Sequence, residues 1–184
     1  NLLLECIQMN PSKDTVVYLN PGFPSHYVQA KVLGFKTRMF DLYDFRGEKF
    51  REKIEEVFGD GRVAAIIYSN PNNPSWVCLT EDELKSLGEL CTKYDVVALE
   101  DMAYLCMDFR KNRSVPFEPP YQPTVARYTD YGVLMISASK IFSYAVERIA
   151  MVAISDKLYH REYPALRERY GLGRFGDNFS LTYL

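Results

Sequence analysis

Six short runs rich in β-branched and apolar residues recur along the chain, separated by stretches with helical spacing, and this alternation restricts the fold more than any other feature. The runs cover residues 15–19, 36–42, 62–68, 96–100, 132–137 and 148–155, each bounded by turn residues. Each reads as a buried strand. Helical spacing occupies 27–33, 47–58, 80–94 and 156–170, and Thr80-Glu81-Asp82-Glu83 is a capping box at the start of the third stretch. Alternation of this kind predicts an α/β fold of three layers, with a mostly parallel sheet and helices on both faces. A span with four prolines, 115–123, reads as a loop between the fourth and fifth strands. Ligands of such sheets gather at the carboxyl ends of the strands, so the residues after each strand carry the functional information.

The 184 residues suggest one domain, large enough to bury roughly 70% of its unfolded surface. The net charge of −2 comes from interleaved acids and bases. The densest basic stretch, Arg110-Lys111-Asn112-Arg113, is too short to suggest a nucleic-acid partner. The longest apolar runs, near 63–68 and 149–154, fall far below the roughly 20 residues of a membrane span. Cys6, Cys78, Cys91 and Cys106 form no C-x-x-C pair and have no His at ligand spacing. They read as free thiols of a reducing compartment, so a cytoplasmic protein without a metal site is expected. The chain opens at Asn1 inside an apolar helical pattern and closes at Leu184 without finishing an element. It therefore reads as one domain over 1–184 that is incomplete at both ends.

Four strand ends carry chemistry. After the third strand comes Ser69-Asn70-Pro71-Asn72-Asn73-Pro74-Ser75. It suits a plain turn, but two prolines flanking an Asn pair also fix the backbone and can aim an amide into a cleft. After the fourth comes Glu100-Asp101-Met102-Ala103-Tyr104, whose carboxylates suit either a helix cap or a ligand. A nucleotide hydrolase would need a G-x-x-x-x-G-K-[ST] loop, which the chain lacks. After the fifth comes Ser137-Ala138-Ser139-Lys140. A lysine directly after an apolar strand is expected to be buried or to face a cleft, where it suits Schiff-base chemistry. Arg148 opens the last apolar run, as a phosphate clamp or as an ion-pair partner of Glu147.

These motifs together resemble those of the fold-type I aminotransferases of class I and II, enzymes that use pyridoxal 5′-phosphate. The family pattern Asn-Pro-x-Asn-Pro-[Thr/Ser]-Gly matches Asn70 to Ser75, Asp-x-Ala-Tyr matches Asp101 to Tyr104, and Ser-x-[Ser/Ala]-Lys with a later Arg matches Ser137, Lys140 and Arg148. Asn20-Pro21-Gly22-Phe23 resembles the segment whose aromatic ring stacks on the cofactor. The resemblance implies that Lys140 forms the Schiff base and shuttles a proton, and that Asp101 pairs with the pyridinium nitrogen. Tyr104 and Asn73 would donate to the ring oxygen, easing loss of the Schiff-base proton. Ser137 and Arg148 would hold the phosphate, and Phe23 would stack on the ring. It also implies transfer of an amino group from an amino acid to a 2-oxo acid, in a homodimer. Trp76, Val146 and Ala150 depart from positions where the family has, or often has, Gly. The Gly-rich phosphate turn and the small C-terminal domain are missing, so the 184 residues alone are expected to turn over little.

Other readings fit less well. Related folds host C–S lyases, synthases and decarboxylases. Ser137-Ala138-Ser139-Lys140 also fits S-x-x-K, but its S-D-N and K-T-G partners are absent. Gly171-Leu172-Gly173-Arg174-Phe175-Gly176 follows a helical stretch rather than a strand, so a dinucleotide site is disfavoured. A non-enzymatic interaction protein would have no need of Asn73, Asp101, Tyr104, Lys140 and Arg148 together.

Overall fold

The third apolar run forms strand β3 (Val63–Ser69), buried at every position. A strand with both faces covered belongs in the middle of a sheet. The computed structural model, which describes residues 10–113, 115 and 117–162, places it there. The element order is β1 (Thr15–Asn20), α1 (Pro24–Val32), β2 (Lys36–Asp41), α2 (Glu48–Phe58), β3, α3 (Glu81–Tyr94), β4 (Val97–Met102), a 3-10 turn (Val125–Arg127), β5 (Gly132–Ser137), α4 (Ala138–Ile141), β6 (Ala150–Ile154) and α5 (Asp156–Tyr159). The sheet order is β2-β1-β3-β4-β5-β6. The first five strands are parallel and β6 runs antiparallel to β5.

Strand alternation divides the core into two layers. Val17, Leu19, Ile66, Tyr68 and Ala98 face one side, where Phe50, Ile54 and Phe58 of α2 and Leu84, Leu87 and Leu90 of α3 cover them. Val16, Tyr18, Ala65, Ile67, Val97 and Leu99 face the other, beneath Ala30 of α1 and Leu158 of α5. Each fully buried Leu, Ile or Phe contributes about 1.5–3 kcal/mol of transfer free energy. The chain steps from β1 outward to β2, then returns past β1 to β3. The order therefore reverses between β1 and β3, where α/β sheets open a crevice beyond the strand ends.

The sequence boundaries need three corrections. Helix α1 begins at Pro24, three residues before the apolar spacing suggests, because proline is suited to the first helical turn. Helix α5 ends at Tyr159 rather than at 170. There the chain turns so that Arg161 meets both carboxylate oxygens of Asp95, with Nη2 2.9 Å from Oδ2. Arg148 precedes β6 rather than opening it, and holds a left-handed backbone with φ 55°. Cys6, the chain's first and last residues, 163–170 of the anticipated helix and the glycine pattern at 171–176 lie outside the described residues. Among the described residues no helix is long and apolar enough to cross a membrane.

Candidate functional site

The loop after β3 is tied down by its own asparagines. Asn70 donates its side-chain amide to Glu100 Oε1 at 3.0 Å, and its side-chain carbonyl accepts from the Leu79 N–H at 3.2 Å. Its backbone N–H donates to the Asp101 carbonyl at 3.0 Å. Asn72 Oδ1 accepts from the backbone and the hydroxyl of Ser75. With the backbone fixed, Asn73 extends its amide to the Tyr104 hydroxyl, Nδ2 to Oη 3.3 Å. Two motifs 31 residues apart thus meet at one point.

At the end of β4 the two carboxylates part. Strand alternation sends Glu100 into the layer shared with α2 and α3, where it is fully buried and accepts the Val125 N–H at 2.9 Å. Burial pushes its carboxyl up to about 7, opposed by the bonds from Val125 and Asn70. Asp101 turns toward α1 and stays partly exposed. Its Oδ1 accepts the Ala103 N–H at 3.0 Å, and its Oδ2 lies 3.2 Å from His26 Nε2. A carboxylate offers about four acceptor positions, so capacity is left for a further donor. His26 also stands edge-on to Phe23, with ring centroids 5.4 Å apart. Sequence reasoning left His26 without a role. The structure makes it the link between Phe23 and Asp101.

At the end of β5, Met102 is registered opposite Ile136, so Ser137 and Lys140 follow at the same end of the sheet as Asp101 and Tyr104. Ser137 Oγ accepts the Ser139 N–H at 3.2 Å and caps α4. Ala138 N–H donates to the Ile149 carbonyl, which returns Arg148 to the same end of the sheet. Its guanidinium donates to the Ala145 carbonyl at 3.3 Å and makes no ion pair with Glu147. Lys140 is corrected in one respect: it is exposed rather than buried, because α4 is a single short turn at the sheet's end. No hydrogen bond or ion pair joins it to Asp101 or Tyr104 among the described residues.

A cavity of about 300 Å³ opens at the β1–β3 crossover, lined in part by Leu19, Asn20, Phe23, His26, Tyr68 and Ser69. Asp101 and Lys140 lie outside its wall. Among the described residues no group of three or more His, Cys, Asp or Glu is placed to hold a metal ion.

A profile of the family described as Aminotransferase class I and II matches residues 1–169. The chain belongs to that family. Its cofactor is pyridoxal phosphate. Among curated relatives, the aspartate aminotransferase of Bacillus subtilis is 29% identical over 79% of this chain and 36% of its own length. The cystathionine β-lyase of the same organism is 28% identical over 66% and 30%. Among solved structures, a PLP-dependent aminotransferase from Streptococcus suis superposes with a TM-score of 0.64 at 20% identity, over 97% of this chain and 45% of that one. A PLP-bound C-S lyase from Staphylococcus hominis gives 0.62 at 20% identity, over 84% and 39%. The chain spans well under half the length of the curated relatives it matches.

The residues present fit the cofactor by their donor set. A carboxylate with spare acceptor capacity suits a pyridinium N–H. The Tyr104 hydroxyl accepts from Asn73, so its own proton is free for an anionic ring oxygen. A hydroxyl and a guanidinium that has no ion pair among the described residues suit a phosphate.

Proposed function

We propose that this chain is the cofactor-binding large domain of an aminotransferase that moves an amino group from an amino acid to a 2-oxo acid. The carrying observation is the meeting of Asn73 and Tyr104 at 3.3 Å beside Asp101, with Lys140 rising from the adjacent strand end. Pyridoxal phosphate, when bound, supplies the electron sink that makes the substrate α-proton removable.

The chain's own residues do the rest. Asp101 would accept the N–H of the ring nitrogen and keep it charged, and His26 orients that carboxylate. Tyr104 would donate a hydrogen bond from its hydroxyl to the ring oxygen, and Asn73 fixes the direction of the phenol. Phe23, edge-on to His26, would cover one ring face. Ser137 and Arg148 would hold the phosphate. Lys140 would be the amine that holds the cofactor and the base that moves the substrate α-proton.

The whole protein is proposed to act as a homodimer in the cytoplasm. The compartment is supported by Cys78, Cys91 and Cys106, all free thiols. The 184 residues alone are proposed to turn over little.

Borohydride reduction in the presence of pyridoxal phosphate, followed by peptide mapping, tests the assignment. A stable adduct should appear on Lys140 and vanish in Lys140→Ala. An adduct on a different lysine would refute it. A C–S lyase is the second reading, favoured by the likeness to the B. subtilis lyase. Amino transfer to an added 2-oxo acid without ammonia release supports transamination, and ammonia release from a sulfur amino acid supports the lyase.

A further inference from the structure

We propose that Trp76 is a positioning residue for the Tyr104 phenol, bridging the Asn73 loop to the end of β4. The proposal rests on the reading above that Tyr104 serves the cofactor's ring oxygen. Trp76 stands where the family's Asn-Pro motif ends in Gly, and it keeps the backbone that Gly would adopt, with φ 59°. Left-handed backbone disfavours a bulky side chain.

The loop leaves the residue no alternative. Trp76 N–H donates to the Asn72 carbonyl at 2.9 Å, and Asn72 N–H donates to the Val77 carbonyl at 2.9 Å. Ser75 Oγ accepts the Val77 N–H at 3.3 Å. An unfavourable conformation persists only when its surroundings over-determine it, and such places cluster at functional sites.

The indole has defined contacts. Its ring meets Tyr104 edge-on, with centroids 5.2 Å apart and planes at 66°. Its face lies nearly parallel to Phe109, 15° between planes and 6.4 Å between centroids. Among the described residues Trp76 is the one aromatic partner of the Tyr104 ring. The Asn73 amide fixes the Tyr104 oxygen, and the indole fixes the ring that carries it. Three segments, the loop after β3, the end of β4 and the chain at Phe109, are thereby joined around one phenol. Glycine at 76 would leave the ring free to swing and its proton without a fixed direction.

The test uses the whole protein with pyridoxal phosphate and the variants Trp76→Gly, Trp76→Phe and Tyr104→Phe. The readout is the pH midpoint of the visible absorption of the Lys140-bound cofactor. In Trp76→Gly the midpoint should move to higher pH by about one unit, because a donor to the ring oxygen is weakened. Trp76→Phe keeps an aromatic edge and should stay with the wild type. In a Tyr104→Phe background, Trp76→Gly should add no further shift, which a general loosening of the fold would not reproduce. Without cofactor, Trp76→Gly should melt near the wild type, since relief of the left-handed backbone offsets the lost ring contacts. A Trp76→Gly midpoint equal to the wild type, with the borohydride adduct still on Lys140, would overturn the role of Trp76 alone. Failure of the wild type to form that adduct would overturn the site reading and this proposal with it.

Discussion

Two neighbouring carboxylates, Glu100 and Asp101, show how strand periodicity assigns chemistry. One step along β4 separates a buried structural acid from a partly exposed one that faces His26 of α1. Glu100 binds the loop start at Asn70 and the 3-10 turn at Val125, so it braces both neighbours of the site. Its carboxyl rises from 4.5 to about 7 on folding because burial penalises the charge. A group raised on folding contributes stability that is fully present below its unfolded value and is lost as pH rises through the folded one. The stability of the wild type relative to Glu100→Gln should therefore fall between about pH 4.5 and pH 7, by roughly 3 kcal/mol in total. Urea melts of both proteins across that window measure it, and parallel pH profiles would show that Glu100 is not the titrating group. The strand-end places of Asn73, Asp101 and Tyr104 were legible in the sequence because their local patterns are distinctive. The roles of His26 and Glu100 were not, because His26 meets its carboxylate 75 residues away in sequence and Glu100 bonds Asn70 and Val125 from 30 and 25 residues off.

Among the elements, α3 was the most legible, and the structure shows both bonds of its capping box. The Thr80 hydroxyl accepts the Glu83 N–H at 3.2 Å, and Glu83 Oε2 accepts the Thr80 N–H at 2.9 Å. What local pattern could not reveal is the rest of Glu83's work. It accepts two bonds from the Arg46 guanidinium and one from the Gly47 N–H, tying the start of α2 to the start of α3. These bonds hold its carboxyl below the usual range although burial pushes the other way. The close packing of α3 was equally hidden. A methyl group at Gly88 would lie 2.6 Å from Tyr128 Cβ and 3.0 Å from its backbone carbonyl, so the helix and the 3-10 turn meet where only glycine fits. Gly88→Ala gains helix propensity of about 1 kcal/mol but forces these segments apart, a cost of about 1–3 kcal/mol. The net effect should be a loss of stability, seen as a lower urea midpoint with an unchanged slope. An unchanged or higher midpoint would mean that Tyr128 moves aside freely. The strands were easier to read than their ends, since continuous apolar runs mark a doubly covered sheet, whereas boundaries such as Pro24 and Arg161 depend on backbone restraint and a distant ion pair.

Across the whole molecule, the site joins two regions of unequal burial. β1 and β3 are buried on both faces, and β4 is buried at all but Asp101. Asn73, Asp101 and Tyr104 therefore hang from the most protected part of the sheet. Lys140 and Arg148 sit on the short α4 turn and the connection into β6, an edge strand with exposed Ala150 and Met151. Amide exchange follows local opening, slow in packed strands and fast where few apolar contacts hold the backbone. Amides of residues 63–69 and 97–101 should exchange slowest, and those of 138–152 much faster. Pyridoxal phosphate gripped by Ser137, Lys140 and Arg148 on one side and by Asp101 and Tyr104 on the other would couple the two regions. A ligand that binds only the closed state stabilises it by mass action. Saturating cofactor should then slow exchange in 138–152 by tenfold or so, equivalent to about 1.4 kcal/mol, while 63–69 changes little. Hydrogen-exchange mass spectrometry with and without the cofactor measures both segments at once. Protection confined to 15–41, around the cavity at the β1–β3 crossover, would instead place the cofactor against Phe23 and His26 without engagement of the phosphate by Arg148.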